Sequence, residues 1–172
     1  MKRKNGIKMY NVVFPIWLLW LFPLTWIIIL PANFIIDSLV VLITLKLLKV
    51  NNTKSLYKKS ILKVWWFGFL SDLIGALILL VPELMGKIIP ANYSARWDKL
   101  TSAISYYPFE SIYSFLWVIV AIVVTSFFIY LFNYKASFVD LDMEEDSKKK
   151  LALSLAICTA PYLFMLPTAW FF

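Results

Sequence analysis

The sequence predicts an all-α integral membrane protein, a bundle of about five transmembrane helices in one polytopic domain over residues 1–172. Hydrophobic residues make up 62% of the chain, which is well above the roughly one half that is typical of soluble domains. The mean hydropathy is accordingly high, at +0.78. Charged residues, at 16%, are concentrated in short stretches between long apolar ones, as expected for several membrane spans in series.

Five apolar stretches approach the roughly 20 helical residues that cross a hydrocarbon core. The first stretch is uncharged, and Pro31 is expected to end its helix. Pro31 is also expected to begin the next helix, because the N–H groups of a first helical turn have no partner within the helix and proline is tolerated there. A tight turn at Pro31 would alternatively make residues 12–48 one re-entrant or tilted element. The predicted spans are 12–30, 32–48, 61–81, 111–132 and 151–170.

The basic residues predict the orientation of the bundle, because lysine and arginine are retained on the cytoplasmic side of a membrane. Of the 17 basic residues, only Lys87, Arg96 and Lys99 lie in the 83–110 loop, while the others lie near the N-terminus and in the loops on the opposite side. The N-terminus is therefore predicted to be cytoplasmic and the C-terminus exterior. The excess of lysine over arginine favours a bacterial plasma membrane.

The 83–110 loop is too long for a simple connection between antiparallel helices. Trp97, Leu100 and Ile104 recur in it at helical spacing, with charged residues between them. This pattern predicts a short helix lying on the outer membrane surface.

The residue types present argue against several classes of function. The chain has no histidine and a single cysteine, which removes the commonest metal ligand, the commonest general base and an internal disulfide. Its four glycines form no phosphate-binding loop, and its lysines are explained by membrane topology rather than by nucleic-acid binding. We expect no enzyme activity, no cofactor, no metal centre and no nucleic-acid partner.

Two acidic residues fall inside the predicted spans, Asp37 in the second and Asp72 in the third. A carboxylate costs about 2.5 to 3.5 kcal/mol at the centre of a bilayer on insertion scales, so such residues are rare and often functional. Helical spacing places Asn33 and Thr44 on the face of Asp37, and it places Gly68 on the face of Asp72. We expect these two faces to meet, because sequential spans are antiparallel neighbours.

The polar groups of these faces would form a ladder through the membrane: Asn33, Asp37, Asp72 and Thr44, with Ser71 as a further hydrogen-bonding group. Counted from the outer helix ends, Asp37 is expected roughly 8 Å deep and Asp72 roughly 15 Å deep. Because no basic residue lies at either depth, each acid is expected to be protonated, to bind a cation or to face a basic residue of a partner. In the alternative interpretation, the carboxyls only hold the bundle together through hydrogen bonds.

Prolines within the first and fifth spans remove helix hydrogen bonds. The carbonyls that lose these bonds could bind a ligand. Pro23, with Thr25 nearby, is the candidate for a functional kink, while a purely structural role is the alternative for all four. The prolines are Pro15, Pro23, Pro161 and Pro167.

An acidic run precedes three lysines just before the fifth span. It lacks the glycine and the ligand spacing of a calcium loop, so we interpret it as charge that complements a helix N-terminus or as a docking patch for a soluble partner. The acids are Asp140, Asp142, Glu144, Glu145 and Asp146.

These features predict a transport-type role, in which the protein passes or couples a cation or a small solute through the membrane. Five spans leave little room for a complete two-repeat transporter, so a homo-oligomer or a larger complex with a partner membrane protein is expected. The alternative is a non-catalytic assembly, sensor or immunity-type protein that works by binding a partner protein.

Overall fold

The computed structural model describes residues 15–86, 88 and 90–170. In this part of the chain the regular structure is helical, without strands. The α-helices are α1 Trp26–Leu47, α2 Thr53–Gly86, α3 Ala91–Tyr106, α4 Ile112–Phe132 and α5 Glu145–Cys158. Short 3₁₀ helices cover Ile16–Leu21, Pro23–Thr25, Pro108–Glu110, Tyr162–Met165 and Thr168–Trp170, and a π-helical turn, Asn133–Ser137, follows α4.

Three described segments are long and apolar enough to cross a membrane: Pro23–Leu47, Thr53–Gly86 and Ile112–Ser137. They contain α1, α2 and α4. Because α2 packs extensively against both α1 and α4, it forms the centre of the bundle. With 34 residues, α2 is about 51 Å long and exceeds the roughly 30 Å hydrocarbon core, so its lysine-rich beginning extends past the apolar part.

The predicted helix break at Pro31 is wrong, because α1 continues through this residue. Proline removes only the hydrogen bond to the Ile27 carbonyl, and a continuous helix remains the way to satisfy the neighbouring backbone groups in lipid. The described part of residues 12–48 therefore forms one long helix with two short 3₁₀ helices before it, rather than two spans.

Pro23 begins a helix rather than kinking one. It is the first residue of Pro23–Thr25 and follows Phe22, whose backbone is extended. The Thr25 hydroxyl donates a hydrogen bond to the Phe22 carbonyl at 2.6 Å and closes the turn after Ile16–Leu21. The predicted kink inside a continuous first span is therefore wrong, because the chain leaves helical geometry just before this proline.

The predicted fifth span is interrupted in its middle, so a continuous helix over 151–170 is wrong. Here α5 ends ahead of Pro161, and the chain continues as short 3₁₀ helices. Pro161 lacks the N–H that would bond to the Ile157 carbonyl four residues earlier, and the Tyr162 hydroxyl donates to that carbonyl at 2.7 Å instead. A side chain thus satisfies the group that the proline frees.

The predicted helix in the 83–110 loop is present as α3. One side of α3 is buried, including Ile104 and Ser105, and the Trp97 indole donates a hydrogen bond to the Pro82 carbonyl at 2.8 Å. These contacts hold α3 against the end of α2. Its position on a membrane surface stays a prediction.

The two ends of the bundle differ in composition. At one end, Lys63 of α2 forms an ion pair with Asp140 in the loop after α4, so the lysine-rich loops lie together. At the other end, the Thr168 hydroxyl accepts a hydrogen bond from the Ile16 N–H at 3.1 Å and donates to the Ser105 carbonyl at 3.2 Å. The segments before α1 and after α5 are thereby held against α3. The predicted location of the N-terminus concerns residues outside the described part of the chain.

Candidate functional site

A cavity of about 230 Å³ lies between α1, α2 and the break that follows α5. Its floor is formed by Trp20, Asp37, Gly68 and Asp72, all of which are buried. The exposed fractions of Asp37 and Asp72 are 4% and 5%, so both carboxyls are enclosed by the protein. The other lining residues are Asn33, Ile36, Cys158, Thr159, Ala160, Pro161, Tyr162 and Leu163.

The structure brings the polar faces of α1 and α2 together at this cavity. The Asn33 amide donates a hydrogen bond to Asp72 Oδ2 at 3.1 Å. Asp37 packs directly on Gly68, where an added Cβ would lie 3.2 Å from Asp37 Oδ2. Because Gly68 and Asp72 are one helical turn apart, about 6 Å along α2, the two carboxyls are close neighbours.

The two carboxyls lie about one helical turn apart along the bundle. The predicted depth of roughly 8 Å for Asp37 assumed a helix that begins near Ala32. That helix start is wrong, because α1 begins at Trp26. From Trp26, Asp37 is about 16 Å along the helix, which is close to the depth expected for Asp72. The pair therefore lies near the middle of the apolar segments.

The hydrogen bonds at the two acids are incomplete. Asp72 Oδ2 accepts from the Trp20 indole at 3.3 Å in addition to Asn33. Asp72 Oδ1 is buried without any hydrogen-bond partner. Among the described residues, Asp37 receives no hydrogen bond, and neither acid forms an ion pair with a lysine or an arginine. Both acids thus have acceptor capacity that the described hydrogen bonds do not use.

Two unpaired carboxylates are unstable in such surroundings. Burial removes the water that stabilises each charge, and the two charges repel each other in a low-dielectric site. Neutrality of the pair requires two positive charges: two protons, one proton and one monovalent cation, or one divalent cation. Protonation of both acids, or occupancy by a cation, would meet this requirement.

The third wall of the cavity is the break between α5 and the 3₁₀ helix Tyr162–Met165. At the end of α5, both the N–H and the hydroxyl of Thr159 bond to the Leu155 carbonyl, at 2.8 and 2.9 Å. After this point the backbone is irregular through Pro161. Irregular backbone at membrane depth occurs where it lines a cavity, and broken helices can supply carbonyl ligands there.

Two predicted site residues lie away from the cavity. The Ser71 hydroxyl donates a hydrogen bond to the Phe67 carbonyl of its own helix at 2.7 Å. Thr44 is seven residues beyond Asp37, about 10 Å further along α1, and it does not line the cavity. The predicted ladder is therefore shortened to Asn33, Asp37 and Asp72.

Sequence reasoning missed the contribution of Trp20 and of the chain near Cys158. Trp20 precedes α1 in a 3₁₀ helix, so no helical periodicity relates it to the acids. Cys158 reaches the cavity because α5 ends there. The sequence feature that could have indicated this wall of the cavity is Pro161, which interrupts an otherwise apolar stretch.

The acidic run lies at the lysine-rich end of the bundle, and most of it is paired with lysines of the same chain. Asp140 pairs with Lys63 at 3.1 Å, Glu145 with Lys148 at 3.0 Å and Asp146 with Lys150 at 2.6 Å. Glu145 and Asp146 occupy the first turn of α5, where acidic side chains complement the helix dipole, as predicted. A role of this run in docking a partner stays a prediction.

These contacts influence the ionisation of groups in the first turns of α5. The hydrogen bond from Lys148 lowers the pKa of Glu145, and the hydrogen bond to Asp146 raises the pKa of Lys150. Asp142 and Glu144 line a separate polar surface cavity of about 540 Å³, which also contains Lys49. The lysine-rich end is therefore a surface where opposite charges are close together.

The comparisons with known proteins provide no name for this arrangement. No family model, no curated protein and no solved structure matches the chain. Among the described residues, no group of three or more cysteine, aspartate or glutamate side chains could hold a metal ion.

Proposed function

We propose that this protein binds a cation between Asp37 and Asp72 and passes or couples it across a plasma membrane. The observation that carries the proposal is a pair of buried acids, Asp37 and Asp72, that line one cavity without a basic partner among the described residues. A cation would supply the missing charge and would coordinate the free oxygens. The three candidate spans are few for a transporter, so we propose a homo-oligomer or a complex with a partner membrane protein.

In this proposal the lysine-rich end faces the cytoplasm, because basic residues are retained on that side. The loops around residues 46–63 and 135–150 then lie inside, and α3 lies at the exterior end. The apolar part of the cavity lining lowers the local dielectric constant and strengthens the attraction of the acid pair for a cation. The broken segment after α5 is the element most suited to changing access to the site, since rearranging it disrupts no continuous helix.

Partner binding through the acidic run is the second candidate function. It is weaker because Asp140, Glu145 and Asp146 already pair with lysines of this chain. It also does not explain why Asp37 and Asp72 are buried, although burying them costs free energy.

The experiment is cation uptake into proteoliposomes that contain the purified protein. The test panel is protons, sodium, potassium and butylammonium, and the variants are Asp37→Asn and Asp72→Asn. Asp142→Asn is the matched control, because it removes an exposed acid at the lysine-rich end. We expect at least about a tenfold loss of uptake for the two cavity variants, since 1.4 kcal/mol of lost binding corresponds to a factor of ten.

The outcome that contradicts the proposal is full uptake of every transported cation by folded Asp72→Asn protein, or no uptake by the wild type under any gradient. Size-exclusion chromatography in detergent establishes that each variant is folded. Co-purification of a stoichiometric soluble partner, together with absent uptake, would favour the partner-binding alternative.

A further inference from the structure

We infer that the cation accepted by this cavity is a small primary alkylammonium, with its ammonium group at Asp37 and Asp72 and its hydrocarbon body against the cavity rim. The inference rests on the proposed function and narrows the class of cation. It follows from the size of the cavity, from the number of oxygen ligands and from the composition of the rim.

The cavity is too large for a bare ion. A single water molecule needs about 10–15 Å³ of space of this kind, whereas the cavity offers about 230 Å³. A dehydrated metal ion would contact only a small part of such a volume and would leave the rest to water. A molecule with several non-hydrogen atoms fills it better.

The walls of the cavity supply few ligands for a metal ion. Hard cations such as calcium and magnesium take about six or more oxygen ligands. The lining side chains offer the carboxyls of Asp37 and Asp72 and the amide oxygen of Asn33. The hydroxyls of Thr159 and Tyr162 already donate to backbone carbonyls. By contrast, a primary ammonium carries three N–H donors, as a lysine side chain does. It matches a site that has two carboxyls and an unpartnered oxygen, Asp72 Oδ1.

The rim of the cavity is apolar and exposed. Ile36 is 46% exposed and Leu163 is 52% exposed, and both lie at the level of the buried acids. In the proposed membrane position, this level is hydrocarbon. An alkylammonium can place its chain against these side chains while its charged group reaches the floor, whereas a hydrated metal ion has no favourable contact with them.

The charges balance when one acid keeps its proton. A monovalent ammonium neutralises one carboxylate, and the second acid remains protonated and can donate or accept a hydrogen bond within the pair. The filled site then carries no net charge. This makes occupancy compatible with the apolar surroundings.

The experiment uses Cys158, an exposed residue that lines the cavity and is the single cysteine of the chain. Its rate of modification is measured in detergent-solubilised protein with 2-aminoethyl methanethiosulfonate, which is itself a small primary ammonium, and with the anionic sulfonatoethyl reagent. We expect the ratio of the cationic to the anionic modification rate at Cys158 to exceed the same ratio at a free thiol by at least about tenfold. Such a factor needs only 1.4 kcal/mol of attraction. Butylammonium should protect Cys158, and sodium at equal ionic strength should not.

Variants separate the inference from the proposed function. Asp72→Asn and Asp37→Asn should remove the protection by butylammonium, and Asp142→Asn should preserve it. Ile36→Phe should fill the apolar side, weaken protection by butylammonium and leave the preference for the small cationic reagent.

Protection by sodium but not by butylammonium would overturn the inference while leaving the proposed cation site intact. The absence of both protection and charge preference in folded wild-type protein would overturn both. Butylammonium protection that survives in folded Asp72→Asn and Asp37→Asn proteins would also overturn the inference, because binding would then not depend on the acid pair.

Discussion

The acids at the lysine-rich end and the acids in the middle of the bundle have the same side-chain chemistry but opposite surroundings. Asp140 and Asp146 are exposed, and each lies within ion-pair distance of a lysine. Asp37 and Asp72 are buried, and neither has a basic partner among the described residues. Asp140 and Asp146 are therefore paired where water already stabilises them, while Asp37 and Asp72 have no basic partner where burial is most costly.

This difference separates two roles for a carboxylate in one protein. Exposed ion pairs contribute little to stability, commonly below about 1 kcal/mol, and they are screened by salt. A buried, unpaired carboxylate costs several kcal/mol unless a proton or a cation neutralises it. We interpret the mid-bundle pair as a ligand site because the chain itself does not offset that cost.

The largest expected effect on stability comes from the packing around the mid-bundle acids. A Cβ added at Gly75 would overlap the Thr125 hydroxyl and would lie 2.7 Å from the ring of Phe164. Gly75→Ala should therefore destabilise the bundle by roughly 3 kcal/mol, at the upper end of overpacking effects. Thermal unfolding in detergent measures this.

Gly86→Ala is the matched control for that substitution. Its Cβ would meet only the Trp97 side chain, at 3.1 Å, at the end of α2, so a much smaller loss of stability is expected. Equal losses for the two alanine variants would show that the middle of the bundle is not packed as described.

The two mid-bundle acids should respond to leucine with opposite signs. Asp37→Leu removes a buried carboxyl that receives no hydrogen bond, so it should stabilise the protein by roughly 1–3 kcal/mol. Asp72→Leu leaves the donors of Trp20 and Asn33 unpartnered, so it should destabilise by a similar amount. Unfolding temperatures in ligand-free detergent test this, and destabilisation by both variants would favour the purely structural role.

A smaller effect is expected at the break after α5. Tyr162→Phe removes the hydroxyl that bonds to the Ile157 carbonyl, so it should cost about 1 kcal/mol. Tyr113→Phe, at a tyrosine that is 72% exposed, serves as the control and should have no measurable effect. If Tyr162→Phe also leaves stability unchanged, the Ile157 carbonyl has another hydrogen-bond donor.

The smallest effect is expected at the lysine-rich end. Lys63→Met breaks an exposed ion pair with Asp140 and should change stability by less than about 1 kcal/mol, with the difference vanishing at high salt. Unfolding measured at low and high ionic strength checks this. A large, salt-independent loss of stability would mean that the acids at the lysine-rich end and those in the middle of the bundle differ less than their exposure indicates.

Much of the central fold was predictable from the sequence, because long apolar segments must become helices if they enter a membrane. The helices around 61–81 and 111–132 are found within α2 and α4. The errors occurred at prolines, whose local effect depends on what surrounds them. Pro31 is tolerated within α1, while α5 ends at Cys158, shortly before Pro161.

The candidate site was predictable where it depends on helical periodicity. Asp37, Asp72 and Asn33 share the faces that their spacing indicated, and the structure brings them together. Trp20 and Cys158 were not predictable, because they reach the cavity through non-α segments whose direction follows from tertiary packing. Thr44 satisfied the periodicity but lies too far along α1, since spacing fixes a face and not a level.

Cation binding to the purified protein tests the central claim most directly. Equilibrium dialysis with radioactive butylammonium and radioactive sodium measures it for the wild type, Asp72→Asn and Asp142→Asn. We predict saturable binding of at least one of these cations to the wild type and to Asp142→Asn, and at least about a tenfold weaker affinity for Asp72→Asn. Saturable binding that is equal in all three proteins, or no saturable binding of either cation to the folded wild type, would contradict a cation site at the mid-bundle acids.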